Sequence, residues 1–284
     1  MNGWETEYGT HDASTDADLP WPEQAPEVAP LMHLHVLASG SKGNASVVEG
    51  PQGSVLIDDG LSRRELMRRA DELGVDMDRV GCVIVTHEHS DHVSGLSVFC
   101  NKYDGRLVAT AGTAGGRKYL ATLPFELVGN ADEFEACGMR VRTFPTSHDV
   151  ADPFGLRFDC ASENGIDSLG FCTDAGTLGK RAMELLSGVR ILALESNHDK
   201  RMLETGPYPA MLKSRVGGDH GHLSNDQAES PAAHAFSAHD CHYSTRPVRS
   251  VEGFSSNPLP LSSLFRLSRP AYRRLPVSDP ALLP

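Results

Sequence analysis

Nowhere in the 284 residues does an apolar run approach the roughly 18 to 20 residues that a membrane-spanning helix needs. The opening stretch, MNGWETEYGTHDASTDADLPWPEQAPEVAP, lacks the basic start and apolar core of a secretory signal. We therefore expect a cytoplasmic protein with no membrane partner. Cysteine is sparse. The six thiols (Cys82, Cys100, Cys137, Cys160, Cys172, Cys241) include no CxxC pair, which argues against a disulfide framework. None of them lies in a nucleophile motif. Positive charge is short too: 26 Lys and Arg against 38 Asp and Glu give a formal net charge of -12. That balance disfavours indiscriminate nucleic-acid binding, which relies on a basic surface. It does not exclude a nuclease, because bound cations and a local basic strip offset global charge. There is no P-loop pattern and no internal repeat of fixed period.

What is present is an ordinary globular composition, 39% hydrophobic and 23% charged. Three regions follow one another. Residues 1–31 are acidic and poor in hydrophobics, and are expected to form a disordered extension. Residues 32–229 alternate strand-like and helix-like stretches. MHLHVLA alternates with period two, and ASVVEG and GSVLIDDG follow the turn SGSKGN. SRRELMRRADELG has Ser62 as N-cap, Glu65 three positions on, and Gly74 as its stop, the pattern of a capped amphipathic helix. VGCVIVT is the continuous β-branched run of a strand buried on both faces. Further strands are predicted at GRLVAT, MRVRTFPT, FGLRFDCAS, SLGFCTD and VRILALES. Helices are predicted at TAGGRKYLATL, at LGKRAMELLS, and from the Ser224–Gln227 capping box of HLSNDQAE. Residues 230–284 are rich in Pro, Ser and Arg and follow neither helical nor strand periodicity. No element is predicted there.

Directly after the buried strand comes VTHEHSDHVSGL, with His87, His89, Asp91 and His92 inside six positions. On a strand, His87 and His89 share a side. In the loop and first helical turn beyond it, Asp91 and His92 can point back toward them. Imidazoles and a carboxylate at this density suit zinc, iron or manganese.

A His-x-His-x-Asp-His run after a strand resembles the signature of metallo-β-lactamase-fold hydrolases. LASGSKGNASVVE, LIDDGLS, FPTSHDVADPFGLRF, TDAGTL and GDHGHLSN are similar to the YycJ/WalJ-like branch, relatives of the ribonuclease Z nucleases. The resemblance covers residues 32–229. It implies an α/β fold, an αββα four-layer sandwich, with an atypical C-terminal part. It also implies two divalent metals, zinc or manganese. His87, His89 and His148 would hold one, Asp91 and His92 the other, and Asp174 would bridge them. Asp91 would in addition orient the attacking water. The implied activity is DNA exonuclease action linked to repair, with DNA or another phosphodiester as partner. Hydrolysis of a small ester, thioester or lactam is the alternative within enzymes.

Weaker signals surround this core. Ser41 and Asn44 of SGSKGN are candidates for substrate or ligand support, against a plain hairpin turn. Asp58 is a candidate hydrogen-bond partner of a ligand histidine, against a turn carboxylate. Asn197 and His198 of ESNHD, after a strong strand, and His222 of GDHGHLSN are candidates for substrate contact or ligand support. The basic run KSRV either touches a phosphate backbone or is a solvated face.

The family pattern expects one more histidine, in a segment like AHLSxxNN, and that segment is missing. The nearest echo is His242 in CHYST. The loss coincides with the change near residue 230, after which six arginines stand against Asp240, Glu252 and Asp279, with no lysine. A shifted reading frame is the favoured explanation and a divergent tail the alternative. Either leaves open a third reading: a chain that binds metal, one ion or two, and is catalytically impaired.

Overall fold

Two six-stranded sheets face each other in the computed structural model, which describes residues 30–163 and 165–229 and a further strand at Leu264–Leu267. The first sheet runs in chain order: β1 (His33–Ala38), β2 (Ala45–Gly50), β3 (Gly53–Ile57), β4 (Val80–Ile84), β5 (Arg106–Ala109) and β6 (Glu126–Leu127). Short turns make β1–β3 antiparallel, whereas β3–β6 are parallel and are joined by longer crossovers. The second sheet comprises β7 (Glu133–Ala136), β8 (Met139–Pro145), β9 (Phe154–Ser162), β10 (Gly165–Cys172), β11 (Ile191–Ser196) and β12 (Leu264–Leu267). Its one parallel pair is β10–β11.

The strand side chains explain the layers. Val48, Val55, Ile57 and Ile84 meet Phe154, Leu156, Phe158 and Phe171 between the sheets. Their neighbours Val47, Leu56, Val83 and Val85 face outward. They pack on Leu66 and Ala70 of α1 (Arg63–Leu73), and on Leu96 and Phe99 beyond the short α2 (Ser90–Val93), in α3 (Leu96–Cys100). This is the period-two alternation of a sheet covered on both faces. On the other side, Phe144, Cys172 and Leu194 are covered by Ala182, Leu185 and Leu186 near the chain's later helices. The layers are therefore αββα, as the sequence led us to expect.

Most of the long predicted elements are present. In α1, Ser62 caps the Glu65 amide and Gly74 closes the helix in the left-handed conformation at φ 71°. Only half of that capping box forms, because the Glu65 carboxylate turns to Arg68 and Arg69. One helix needs correction. TAGGRKYLATL does not form a continuous helix over residues 113–123. α4 (Ala111–Gly115) stops at the Gly115–Gly116 pair, and only a 3-10 turn at Leu120–Thr122 follows. Paired glycines add backbone entropy that so short a helix does not recover. Next come α5 (Lys180–Leu186), α6 (Lys200–Thr205), α7 (Ala210–Val216) and α8 (Asn225–Ala228). α8 carries the complete Ser224–Gln227 capping box. The tail needs correction as well: β12 pairs antiparallel with β11, Ala193 opposite Leu267, where no strand was predicted. Four residues are too few for a period to stand out. His242 and most of residues 1–31 and 230–284 lie outside the described residues, and so do the readings placed on them. Among the described residues no helix is long and apolar enough to cross a membrane.

Candidate metal centre

Strands from both sheets end at the same edge. Because β3 and β4 are parallel and in register at Ile57 and Ile84, the residues that follow each lie side by side. The Asp58 N–H donates to Ile84 O at 2.9 Å, and the Thr86 N–H returns a bond to Asp58 Oδ1 at 2.8 Å. His87 follows in extended backbone beyond β4, and His89 is the N-cap of α2. From the other sheet, His148 lies beyond β8, Asp174 beyond β10, and Glu195 within the end of β11. Asp58 and Asp174 both hold positive φ, 58° and 50°. For a residue with a Cβ, such backbone costs on the order of 1–2 kcal/mol, and such costs concentrate at functional sites.

These ends bring the predicted residues together. Three groups each offer ligand atoms within 4.8 Å of one another: His87, His89 and His148; His87, His92 and Asp174; and His148, Asp174 and His222. His89 Nδ1 and His148 Nε2 are 3.2 Å apart. His92 Nε2 lies 3.1 Å from Asp174 Oδ2. Asp91 stands at the margin, its Oδ2 3.8 Å from His92 Nε2 and outside the three tight groups.

The residues around the cluster hold it in place. Asp58 Oδ2 bonds His92 Nδ1 at 2.8 Å and also accepts the Thr86 hydroxyl at 2.8 Å. Asn44 Nδ2 lies 3.0 Å from His92 Nε2 and 3.2 Å from Asp91 Oδ2. The second sheet contributes a buried pair: Glu195 Oε1 takes His222 Nδ1 at 2.6 Å, while Glu195 Oε2 accepts the Ala175 N–H at 3.0 Å. His222 Nδ1 is also 3.4 Å from Asp174 Oδ1. Three of the weaker candidates stay outside the cluster. Ser41 lines a neighbouring cavity of about 490 Å³ together with Lys42, Ser62 and Arg69. Asn197 reaches Glu195 only through a 3.4 Å bond. His198 is buried beside α8, its backbone carbonyl accepting from Asn225.

The electrostatics divide the imidazoles. Burial lowers the pKa of His87 well below the usual value, and the neighbouring charge at His92 lowers it further. Burial likewise lowers His89 and His148, against the pull of Asp149 and Asp174. These three are therefore neutral near pH 7, the form that binds metal. His92 goes the other way. Burial opposes its charge, but Asp174 and Asp58 outweigh burial and hold its pKa well above the usual value. Burial also opposes charge on His222, and Glu195 raises it. The carboxylates Asp174, Asp58 and Glu195 thus favour positive charge beside His92 and His222.

Those features fit a divalent cation. His87 is fully buried, its Nδ1 is 3.1 Å from the Thr86 hydroxyl, and its Nε2 has no hydrogen-bond partner among the described residues. A buried unpaired imidazole nitrogen is costly unless something binds it. Here it faces two donor groups at once. Mixed imidazole and carboxylate donors suit zinc, manganese or iron.

Sequence reasoning passed over Asp149 and Asp59. Asp149 Oδ1 lies 3.6 Å from His89 Nε2 and 3.5 Å from His148 Nε2. Its only sequence signal is its place directly after His148. Asp59 is fully buried behind the cluster and gives no signal beyond its neighbour Asp58.

The chain is similar to known proteins. A model of the beta-lactamase superfamily domain matches residues 54–238. The exodeoxyribonuclease YycJ of Bacillus anthracis is 33% identical over 201 residues, which are 69% of this chain and 75% of that protein. The exodeoxyribonuclease WalJ of Streptococcus pneumoniae is 31% identical over 200 residues, 67% of this chain and 72% of that one. In three dimensions, the metallo-beta-lactamase fold protein YhfI of Bacillus subtilis aligns with a TM-score of 0.51 at 12% identity, covering 70% of this chain and 80% of its own. With two facing sheets, a histidine and aspartate cluster at their common edge, and a family match across most of the described core, the chain belongs to the β-lactamase superfamily and carries the metallo-β-lactamase hydrolase fold.

Proposed function

We propose that this protein is a metal-dependent phosphodiesterase that degrades DNA from an end. The observation that carries the reading is the cluster itself: three interlocking donor groups, two of which share His87 with its unpaired Nε2. The choice of DNA is supported by the relatives named exodeoxyribonucleases.

His87, His89 and His148 would hold one cation, and His92, Asp91 and Asp174 a second, with Asp174 between them. When bound, such ions acidify water and place positive charge beside a phosphoryl oxygen. The protein's own groups supply the rest. Asp91, partly exposed and steadied by Asn44, sits where it can accept a hydrogen bond from the attacking water and orient it. Asp58 fixes the ring plane and tautomer of His92. His222 directs Nδ1 into Glu195, so a proton on its Nε2 is available to the departing alcohol oxygen. Glu195 keeps that proton on the ring by raising the imidazole pKa. No serine or cysteine nucleophile is required.

The test compares single-stranded DNA, duplex DNA and a chromogenic ester or lactam, each with zinc and with manganese. Release of mononucleotides, abolished in Asp174→Asn and His148→Ala, is the expected result. Turnover of the small substrate without DNA cleavage would replace the nuclease reading. Metal bound at about two ions per chain with no turnover of any substrate would favour the catalytically impaired reading.

A further inference from the structure

The two cations at the end of α7 have different roles. Lys213 turns away from the site and donates its Nζ–H to Glu204 O at 2.7 Å. Arg215 turns toward it and donates its Nε–H to Asp149 Oδ2 at 2.6 Å. The other oxygen of Asp149 is the one that approaches His148 Nε2 and His89 Nε2, at 3.5 and 3.6 Å. The guanidinium is thus one carboxylate away from two nitrogens of the candidate metal centre. Because the bond uses Nε, both terminal amino groups remain. Among the described residues they make no hydrogen bond, and the side chain is 57% exposed.

The segment that follows the arginine is tied to the cluster as well. The His222 N–H donates to Val216 O at 2.9 Å, and His148 Nδ1 bonds Gly221 O at 3.0 Å. The turn after α7 is therefore fastened to the His222 backbone and to the His148 imidazole. A second arginine flanks the same rim. Arg117 Nε donates to the carbonyl of Glu88, between His87 and His89, and Glu88 Oε1 accepts the Ala151 N–H at 3.0 Å. The 149–151 turn thus lies between two guanidinium groups.

In a chain of net charge -12, a polyanionic strand reaches a site containing Asp91, Asp174 and Glu195 only if local cations offset them. A guanidinium with two free amino groups is the fork that phosphate accepts in bidentate fashion. We propose that Arg215, aimed by Asp149, receives a phosphate of the substrate strand beside the bond being cut. The assignment rests on the phosphodiesterase reading above. It makes Arg215 a substrate-binding residue and Asp149 a positioning residue.

The probe is a single DNA strand of about 12 nucleotides with phosphorothioate linkages, which resist hydrolysis. Binding is read by fluorescence anisotropy across a salt series, with the protein as purified and after chelation. Arg215→Gln is expected to weaken binding about tenfold. It should also lower the slope of log Kd against log salt by about 0.7, the value for one lost single-strand phosphate contact. Arg215→Lys should restore the slope without full affinity, because lysine keeps the charge and loses the fork. Asp149→Asn should keep the slope and lose affinity, because the guanidinium is no longer aimed. If Arg215→Gln fails to fold, Arg215→Lys decides: wild-type affinity there overturns the assignment. A wild-type protein that binds, paired with an Arg215→Gln variant of unchanged slope, overturns the assignment alone. A wild-type protein that binds no strand in either condition overturns the phosphodiesterase reading and the assignment with it.

Discussion

At the scale of single residues, the cluster is a set of donors fixed by partners that do not themselves face the cation. Asp58 illustrates this. Its carboxylate takes His92 Nδ1 and the Thr86 hydroxyl, so the ring of His92 has one orientation left. Supporting contacts of this kind typically change metal affinity 10- to 100-fold, and Asp58→Ala is expected to weaken binding by about that factor. Competition against a chromogenic chelator measures it, and wild-type affinity would refute the role. Asp59 makes a different prediction. Burial pushes its carboxyl up to about 7, against the opposing pull of the Leu61 backbone N–H and with a smaller push from Asp58. Between the unfolded value of about 4 and this raised one, the native state binds more protons than the unfolded state. Stability from this group therefore falls as pH rises through that window, by about 1.4 kcal/mol per pH unit, and levels off above about pH 7. Asp59→Asn removes the dependence, so its advantage over wild type should grow from about pH 5 to about pH 8 in urea denaturation. An equal difference at both would exclude this account. The two aspartates also show what is legible from residues alone. His87, His89, Asp91 and His92 form a pattern dense enough to demand a common partner. Asp59 looks no different from Asp58 until the fold buries it, and Asp149 becomes distinctive only when α7 brings Arg215 against it.

At the scale of elements, the long periodic stretches were readable by their period, and among the short helices α8 was readable by its Ser224–Gln227 capping box. β4 is an apolar strand rich in Val and Ile, with helices on one face and a sheet on the other, and its pattern says so. α2, α6 and α8 have four to six residues, less than two turns, and a 3.6-residue period cannot be seen in them. They exist because caps and neighbours hold them, as Ser224 and Gln227 do for α8. The closest crossing of elements is equally invisible in sequence. Gly60 passes so near the start of α2 that an added Cβ would lie 1.7 Å from Asp91 O. The same spot is tied by Asn44 N–H to Asp91 O at 2.7 Å and by Gly60 N–H to Asn44 O at 2.9 Å. Gly60→Ala should therefore separate the three segments, cost about 1–3 kcal/mol, and reduce metal at the Asp91 side before the His148 side. Elemental analysis beside denaturation checks it. Two full metal equivalents in a destabilised variant would show that the crossing matters for folding alone.

At the scale of the whole molecule, the αββα layering follows from alternation along the strands, and it places the parallel pairs β3–β4 and β10–β11 so that their ends share one edge. Two of the three donor groups, His87, His89 and His148 and His87, His92 and Asp174, draw on both sheets. A cation bound there joins the two halves of the sandwich, so chelation should lower Tm as well as activity. Ligand present at a thousand times its Kd contributes about 4 kcal/mol. A Tm unchanged by a chelator that strips the metal would contradict this. The tail remained the least legible part, since its composition carries no period, and the one described strand in it, Leu264–Leu267, was recognisable only by its pairing with β11.

The division of the donor groups between sheets also bears on how the protein is made. A chain emerging from the ribosome presents His87, His89, Asp91 and His92 long before His148 and Asp174 exist. The first four alone close none of the tight groups. A metal held by these groups would therefore find its full donor set only once the second sheet has folded onto the first.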